Sequence, residues 1–214
     1  MKGYKARCLE RLQAQGLPVL RHKVFQEPIT PYEINQFRSE SDDPARRWGV
    51  RADLPYKSDG LLFFVNHGEN GREILSTSLA YKRMKAAYGK NQELSFILSD
   101  SPEHGGRNFF NAVVWCEDDI MFGELCYDPC TLRKAWVAGN LKSFCIDNSV
   151  GDYIRNRKTI NLESISALRK IRNLIMGTRK SYELTHLPSG KLVFWQEDSD
   201  LVFKGLSEQF HLWL

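Results

Sequence analysis

The chain has 214 residues, 42% of them hydrophobic and 26% charged, which suffices for one large domain or two small ones around a buried core. Its formal net charge of +4 is too mild to point to nucleic acid by itself. The longest apolar run, Leu61 to Val65, cannot span a bilayer, and the first residues lack the apolar region of a signal peptide.

Residues 5–15, KARCLERLQAQ, place Leu9 and Leu12 on one helical face, with Gly16 where a C′ glycine ends a helix and Pro18 behind it. VLRHKVF predicts a strand. In TPYEINQFRSE, Thr30 precedes a proline at the first helical position, which is a helix start. Trp48 to Ala52 and Leu61 to Asn66 predict strands, HGENG a loop, and residues 74–88 a helix with Leu75, Leu79, Met84 and Ala87 as apolar positions. LSFILSD predicts a strand and SPEHGGRN a loop. FFNAVVWCEDDIMFGELCYD predicts a hairpin turning at Glu117 to Asp119, and AWVAGNLKSFCID adds strand and turn. NLESISALRKIRNLIM is the clearest helix, capped by Asn161, striped by Leu162, Ile165, Leu168, Ile171 and Leu174, and stopped by Gly177. Helices first and antiparallel strand pairs later predict an α+β fold rather than a doubly wound parallel sheet.

The stretch YELTHLPSGKLVFWQ reads as a hairpin of two apolar runs around Pro-Ser-Gly. A two-residue turn at Ser189-Gly190, or a four-residue loop from Pro188 to Lys191, pairs Leu187 with Leu192, Thr185 with Phe194 and Leu184 with Trp195. Glu183 then falls opposite Gln196, on one face of the hairpin.

Five cysteines, odd in number and scattered, suit reduced thiols in a cytoplasm better than a disulfide framework. The spacing of Cys126 and Cys130 is wrong for a zinc knuckle, and no second pair accompanies it. Isolated polar residues in apolar surroundings mark the candidate chemistry. Lys5 stands at the mouth of the first helix, where helix amides and an ammonium suit phosphate. Arg51 ends an apolar strand and has the shape for bidentate phosphate contacts; its alternative is a pair with Asp53 or Glu124. Glu124 and the Glu183/Gln196 pair complete the set, the plainer reading of that pair being the polar end of a hairpin.

In order along the chain, these pieces resemble the nucleotide-binding domain of phosphoenolpyruvate synthases and pyruvate phosphate dikinases. Gly3, Lys5, Leu9, Gly16, Leu17, Pro18 and Val19 fit its opening. Val50 and Arg51 resemble its Val-Arg-Ser-Ser strand, and WVAGNLKSFCID its Val-Ser-Gly segment. Glu183, Gly190, Lys191, Leu192 and Gln196 align with its closing hairpin. The sequence departs from the pattern at Tyr4 and Ala6, which replace glycines, at RADLP, and at WQEDSD, which lacks the family's Arg-Pro. The phosphohistidine domain and the phosphoenolpyruvate-binding barrel of the complete enzymes have no counterpart in it.

The resemblance implies the ATP-grasp fold, in which two lobes with mixed and antiparallel sheets clamp a nucleotide. Here these would be an N-terminal lobe over residues 1–90 and a C-terminal lobe over 91–214. It implies ATP and Mg²⁺ as cofactors. Lys5 and Arg51 would be the catalytic, phosphate-holding cations, and Glu183 and Gln196 would hold metal and phosphates. Glu124 would lie near the adenine or ribose edge. The expected function is that of a compact, stand-alone phosphotransferase or ligase acting on a small-molecule or protein acceptor that the sequence does not specify. The alternative is a non-catalytic nucleotide-binding or interaction protein with a degraded site. The basic run from Arg155 to Lys180 has no RNA-binding motif beside it, so nucleic acid is not the expected partner, and neither is a membrane.

Overall fold

The computed structural model describes residues 3–26, 30–40, 48–56, 62–65, 79, 82–88, 94–100, 109–117, 120–127, 142–147 and 160–197. The expected HGENG and SPEHGGRN loops, the turn after Glu117, the segment 131–141, Cys130 and the basic residues 155–158 lie outside them. The fold is α+β, and its sheets are antiparallel throughout. The chain divides into two compact units. The first comprises residues 1–11 and 20–102, the second residues 12–19 and 103–214. Among the described residues no helix is long and apolar enough to cross a membrane.

The first unit contains β1 (His22–Gln26), α2 (Pro31–Ser39), β2 (Trp48–Asp53), β3 (Leu62–Val65), α3 (82–88) and β4 (Ser95–Asp100), together with most of α1 (Tyr4–Ala14). Its sheet has the order β1-β4-β2-β3. β4, expected in the second lobe, pairs with both β1 and β2 and is central to this sheet. Trp48, Val50 and Ala52 alternate onto one face of β2, where they join Phe96 and Leu98 of β4 and Ile34 and Phe37 of α2 in one buried cluster. Each large side chain buried this way contributes about 1.5–3 kcal/mol relative to an exposed one. Arg51 and Asp53 therefore alternate onto the opposite face, with Ile97 and Ser95 as their cross-strand partners. α2 starts as its sequence predicts. Thr30 accepts from the Glu33 amide, and the Glu33 carboxylate reaches back to the Thr30 amide, forming a capping box.

The second unit is built on β5 (Phe110–Glu117), β6 (Ile120–Cys126), β7 (Lys142–Asp147), β8 (Ser181–His186) and β9 (Leu192–Glu197), in the order β7-β6-β5-β8-β9. α4 (Leu162–Ile175), capped by Asn161 Oδ1 on the Ser164 amide at 2.7 Å, lies against β5. Its buried stripe is Ile165, Leu168, Ile171 and Ile175. Leu162 and Leu174, expected in that stripe, are 73% and 48% exposed. The inward face drifts from Ile171 to Ile175, a step of one full turn, and so leaves both leucines outside. Gly16 and Gly177 end their helices at positive φ, as expected of C′ glycines.

The β8–β9 hairpin differs from the expected register. Its loop has three residues. The Gly190 amide donates to the Leu187 carbonyl at 2.9 Å, and the Leu187 amide to the Lys191 carbonyl at 2.8 Å. Gly190 has φ of 81°, which a side chain adopts only with strain. This is a type I turn closed by a left-handed glycine. It pairs His186 with Leu192, Thr185 with Val193 and Leu184 with Phe194, one residue off the expected partners. The ladder then skips Trp195 in a β-bulge, and Glu183 meets Gln196.

Candidate functional site

The second unit gathers three of the sequence-predicted residues in one row. Ser143 on β7 pairs with Glu124 on β6, Glu124 with Val113 on β5, Val113 with Glu183 on β8, and Glu183 with Gln196 on β9. Directly paired residues point to the same face, so Glu124, Glu183 and Gln196 project together, over a floor supplied by fully buried Val113. Adjacent strands lie about 4.8 Å apart, which puts Glu124 and Glu183 about 10 Å apart at their backbones. Glu183 is half-buried, while Gln196 is buried. Among the described residues neither side chain makes a hydrogen bond or an ion pair with another.

Glu124 has a divided environment. One part of its carboxyl takes a hydrogen bond from the Ser143 hydroxyl, while Oε2 is buried with no hydrogen-bond partner among the described residues. Burial pushes the Glu124 carboxyl above its ordinary value, and the Ser143 contact opposes part of that rise. Next to the row, the Trp195 indole N–H donates to Thr185 Oγ1 at 2.7 Å, and the Thr185 hydroxyl donates to Asn111 Oδ1 at 2.6 Å. The bulge thus turns Trp195 toward the same face and ties it to β8 and β5. Below the row, on the opposite face, Glu197 is fully buried. It accepts from Lys180 Nζ at 3.1 Å and from Gln15 Nε2 at 3.0 Å, and Gln15 Oε1 accepts from the Tyr182 hydroxyl at 3.2 Å.

Lys5 and Arg51 belong to the first unit. Both side chains are half-buried. Asp53, fully buried, links the two positions. Its Oδ2 accepts from the Gly3 amide at 2.8 Å and from Ser95 Oγ at 3.0 Å, and its Oδ1 from the amides of Lys5 at 2.9 Å and Ala6 at 3.4 Å. The first turn of α1 is therefore already satisfied by an internal carboxylate. This corrects the expectation that its amides offer themselves to phosphate; any phosphate contact at Lys5 falls to the ammonium. Gly3 is required by the same arrangement, since a Cβ there would lie 2.3 Å from the Asp53 carboxylate.

Among the described residues no group of three or more His, Cys, Asp or Glu side chains could hold a metal ion by itself. A hard divalent cation needs less from the protein, because one or two carboxylates plus substrate oxygens complete its shell. A Glu183 carboxylate facing a Gln196 amide, both without protein partners among the described residues, fits that donor set.

The sequence matches no family model and no curated protein. Its fold is similar to solved ligase structures. D-alanyl-alanine synthetase A from Vibrio cholerae has a TM-score of 0.49 at 9% identity, over 91% of this chain and 54% of that one. VanG D-Ala:D-Ser ligase from Enterococcus faecalis gives 0.48 at 11% identity, over 91% and 51%. The ATP-grasp ligase PsnB, complexed with minimal precursor, Mg and ADP, gives 0.44 at 14% identity, over 94% and 51%. The chain thus spans about half the length of each of these proteins. None of the three is named as a phosphoenolpyruvate synthase or a pyruvate phosphate dikinase, the family that the sequence motifs resemble. What the site can do follows from its own residues.

Proposed function

We propose that this chain is an ATP-grasp-type module that binds Mg-ATP and serves ATP-dependent ligation or phosphoryl transfer. The observation that carries the reading is the Glu183–Gln196 pair: one carboxylate and one amide, directly opposed on the face of an antiparallel sheet, with the Glu124 carboxyl in the same row. Mg²⁺, when bound, supplies neutralisation of phosphate charge. Glu183 offers it the carboxylate and Gln196 the amide carbonyl. Trp195, held by Thr185, fixes the strand on which Gln196 sits. The phosphate-binding roles of Lys5 and Arg51 are part of the proposal, their cationic side chains acting on charge that the α1 amides cannot reach. Glu124 is assigned to the adenine or ribose edge of the nucleotide.

Titration calorimetry with ATP, with and without Mg²⁺, tests this. Binding that strengthens with Mg²⁺ in wild type and loses that dependence in Glu183→Gln supports the reading; absence of any nucleotide binding removes it. The single carboxylate of the pair favours a second reading, in which the site binds nucleotide without turning it over. Phosphate release from ATP by the purified chain, measured with a panel of carboxylate and amine acceptors, separates the two.

A further inference from the structure

We propose that Asp53 is the positioning residue of the phosphate-binding cations, setting where Lys5 stands relative to Arg51. This inference rests on the reading of Lys5 and Arg51 given above. Three facts carry it. Asp53 is fully buried, yet among the described residues its carboxylate has no ion-pair partner; it spends its acceptor sites on the amides of Gly3, Lys5 and Ala6 and on Ser95 Oγ. Arg51 lies two residues away on the same face of β2, so one strand carries both the cation and the anchor of the other cation. Ser95 locks the anchor in turn, donating to both the Asp53 carbonyl and its carboxylate, while the Tyr4 amide donates to the Leu54 carbonyl just beyond. The backbone of Lys5 is thereby bonded to the end of the strand that bears Arg51. An anion inside the first turn also offsets the positive end of α1, so phosphate recognition here depends on side chains held at a fixed separation.

The test compares ATP with adenosine in wild type and in Asp53→Asn, which keeps the size of the group but turns an amide against amides. The preference for ATP over adenosine falls by about tenfold, the scale of a lost charged contact, while adenosine affinity stays within about twofold of wild type. A merely structural aspartate would weaken both ligands alike or neither. Gly3→Ala, whose Cβ displaces the same carboxylate, gives the same loss of preference if Asp53→Asn does not fold. Should neither variant fold, amide exchange on the wild-type chain decides: ATP, but not adenosine, slows exchange at Lys5 and Ala6. An unchanged preference in a folded variant, or exchange indifferent to the phosphates, overturns the proposal for Asp53 alone. Wild type that binds ATP no better than adenosine overturns the phosphate reading itself, and this inference with it.

Discussion

Glu183 and Gln196 stand opposite each other because two one-residue irregularities cancel. The three-residue loop closed by Gly190 shifts the ladder one way, and the bulge at Trp195 shifts it back. Between them lie pairings that differ by one residue from those of a regular hairpin, while the polar pair at the far end is preserved. Because a one-residue slip exchanges the faces of a strand, the bulge decides whether Gln196 faces Glu183 or the core.

Glu183→Gln tests the pair directly. The substitution is nearly isosteric and leaves the fold intact. It removes the only charge of the pair, so the gain in ATP affinity on adding Mg²⁺ falls by about 1.5–3 kcal/mol. Metal-free nucleotide binding changes little or improves, since a carboxylate beside phosphates without a cation between them repels. A ratio of affinities with and without Mg²⁺ equal to that of wild type would show Glu183 to be a bystander.

Gly190→Ala tests the turn. Among the described residues nothing lies within 4 Å of an added Cβ, so the cost is that of the left-handed backbone, with φ at 81°. Denaturant unfolding of the variant gives a loss of about 1–2 kcal/mol. A neutral result would mean that the loop relaxes to another turn, and the register with it.

The raised proton affinity of Glu124 fixes a sign for the pH dependence of stability. The folded chain holds this proton more tightly than the unfolded chain does. The group's contribution is full below the ordinary carboxyl range and is lost as pH rises through the raised value. Glu124→Gln keeps a partner for Ser143 and abolishes the loss, so the variant gains on wild type as pH rises above the ordinary carboxyl range. Denaturation midpoints read at several pH values check this, and parallel profiles for the two proteins would contradict it.

Lys180 and Glu197 predict an order of effects. Lys180→Met removes a cation from a fully buried carboxylate that Gln15 also contacts, whereas Glu197→Gln keeps a hydrogen-bonding group of the same size. Lys180→Met is therefore the more destabilising, by about 1–3 kcal/mol, and adding Glu197→Gln to it restores part of the loss. Equal midpoints for the two single variants would show that Lys180 is not what compensates the buried carboxylate.

The strands, the starts of α2 and α4 and the glycine stops of α1 and α4 were legible in the sequence because each is written locally, in periodicity and in end signals such as Thr30-Pro31 and Asn161. The Glu183–Gln196 pairing was legible from its ends, yet the bulge between them was not, since nothing in LVFWQ marks Trp195 as the skipped residue. The stripe of α4 misplaced Leu162 and Leu174 because a leucine in the first or last turn satisfies the period without reaching the core. Asp53 was passed over as a candidate anchor: its partners lie some fifty residues earlier at Gly3 and Lys5 and forty-two later at Ser95, and only folding brings them together. Gly3 was the one local trace of it, a residue whose missing side chain makes room for the carboxylate.

The end of α1 and the residues after it also reach far along the chain. Gln15 meets Glu197 across 182 positions, and the Pro18 carbonyl accepts the Phe194 amide on β9 at 2.8 Å. Among the described strands β9 ends its sheet, and that bond occupies part of its outer edge. Contacts so distant in sequence form slowly, because the chain between them must be closed first. During synthesis residues 12–19 emerge first and wait for the strand they cover, which is made after the whole of the first unit. Until then the β9 edge can pair with another chain, which makes aggregation on refolding most probable in the interval between sheet formation and the arrival of Pro18 at Phe194.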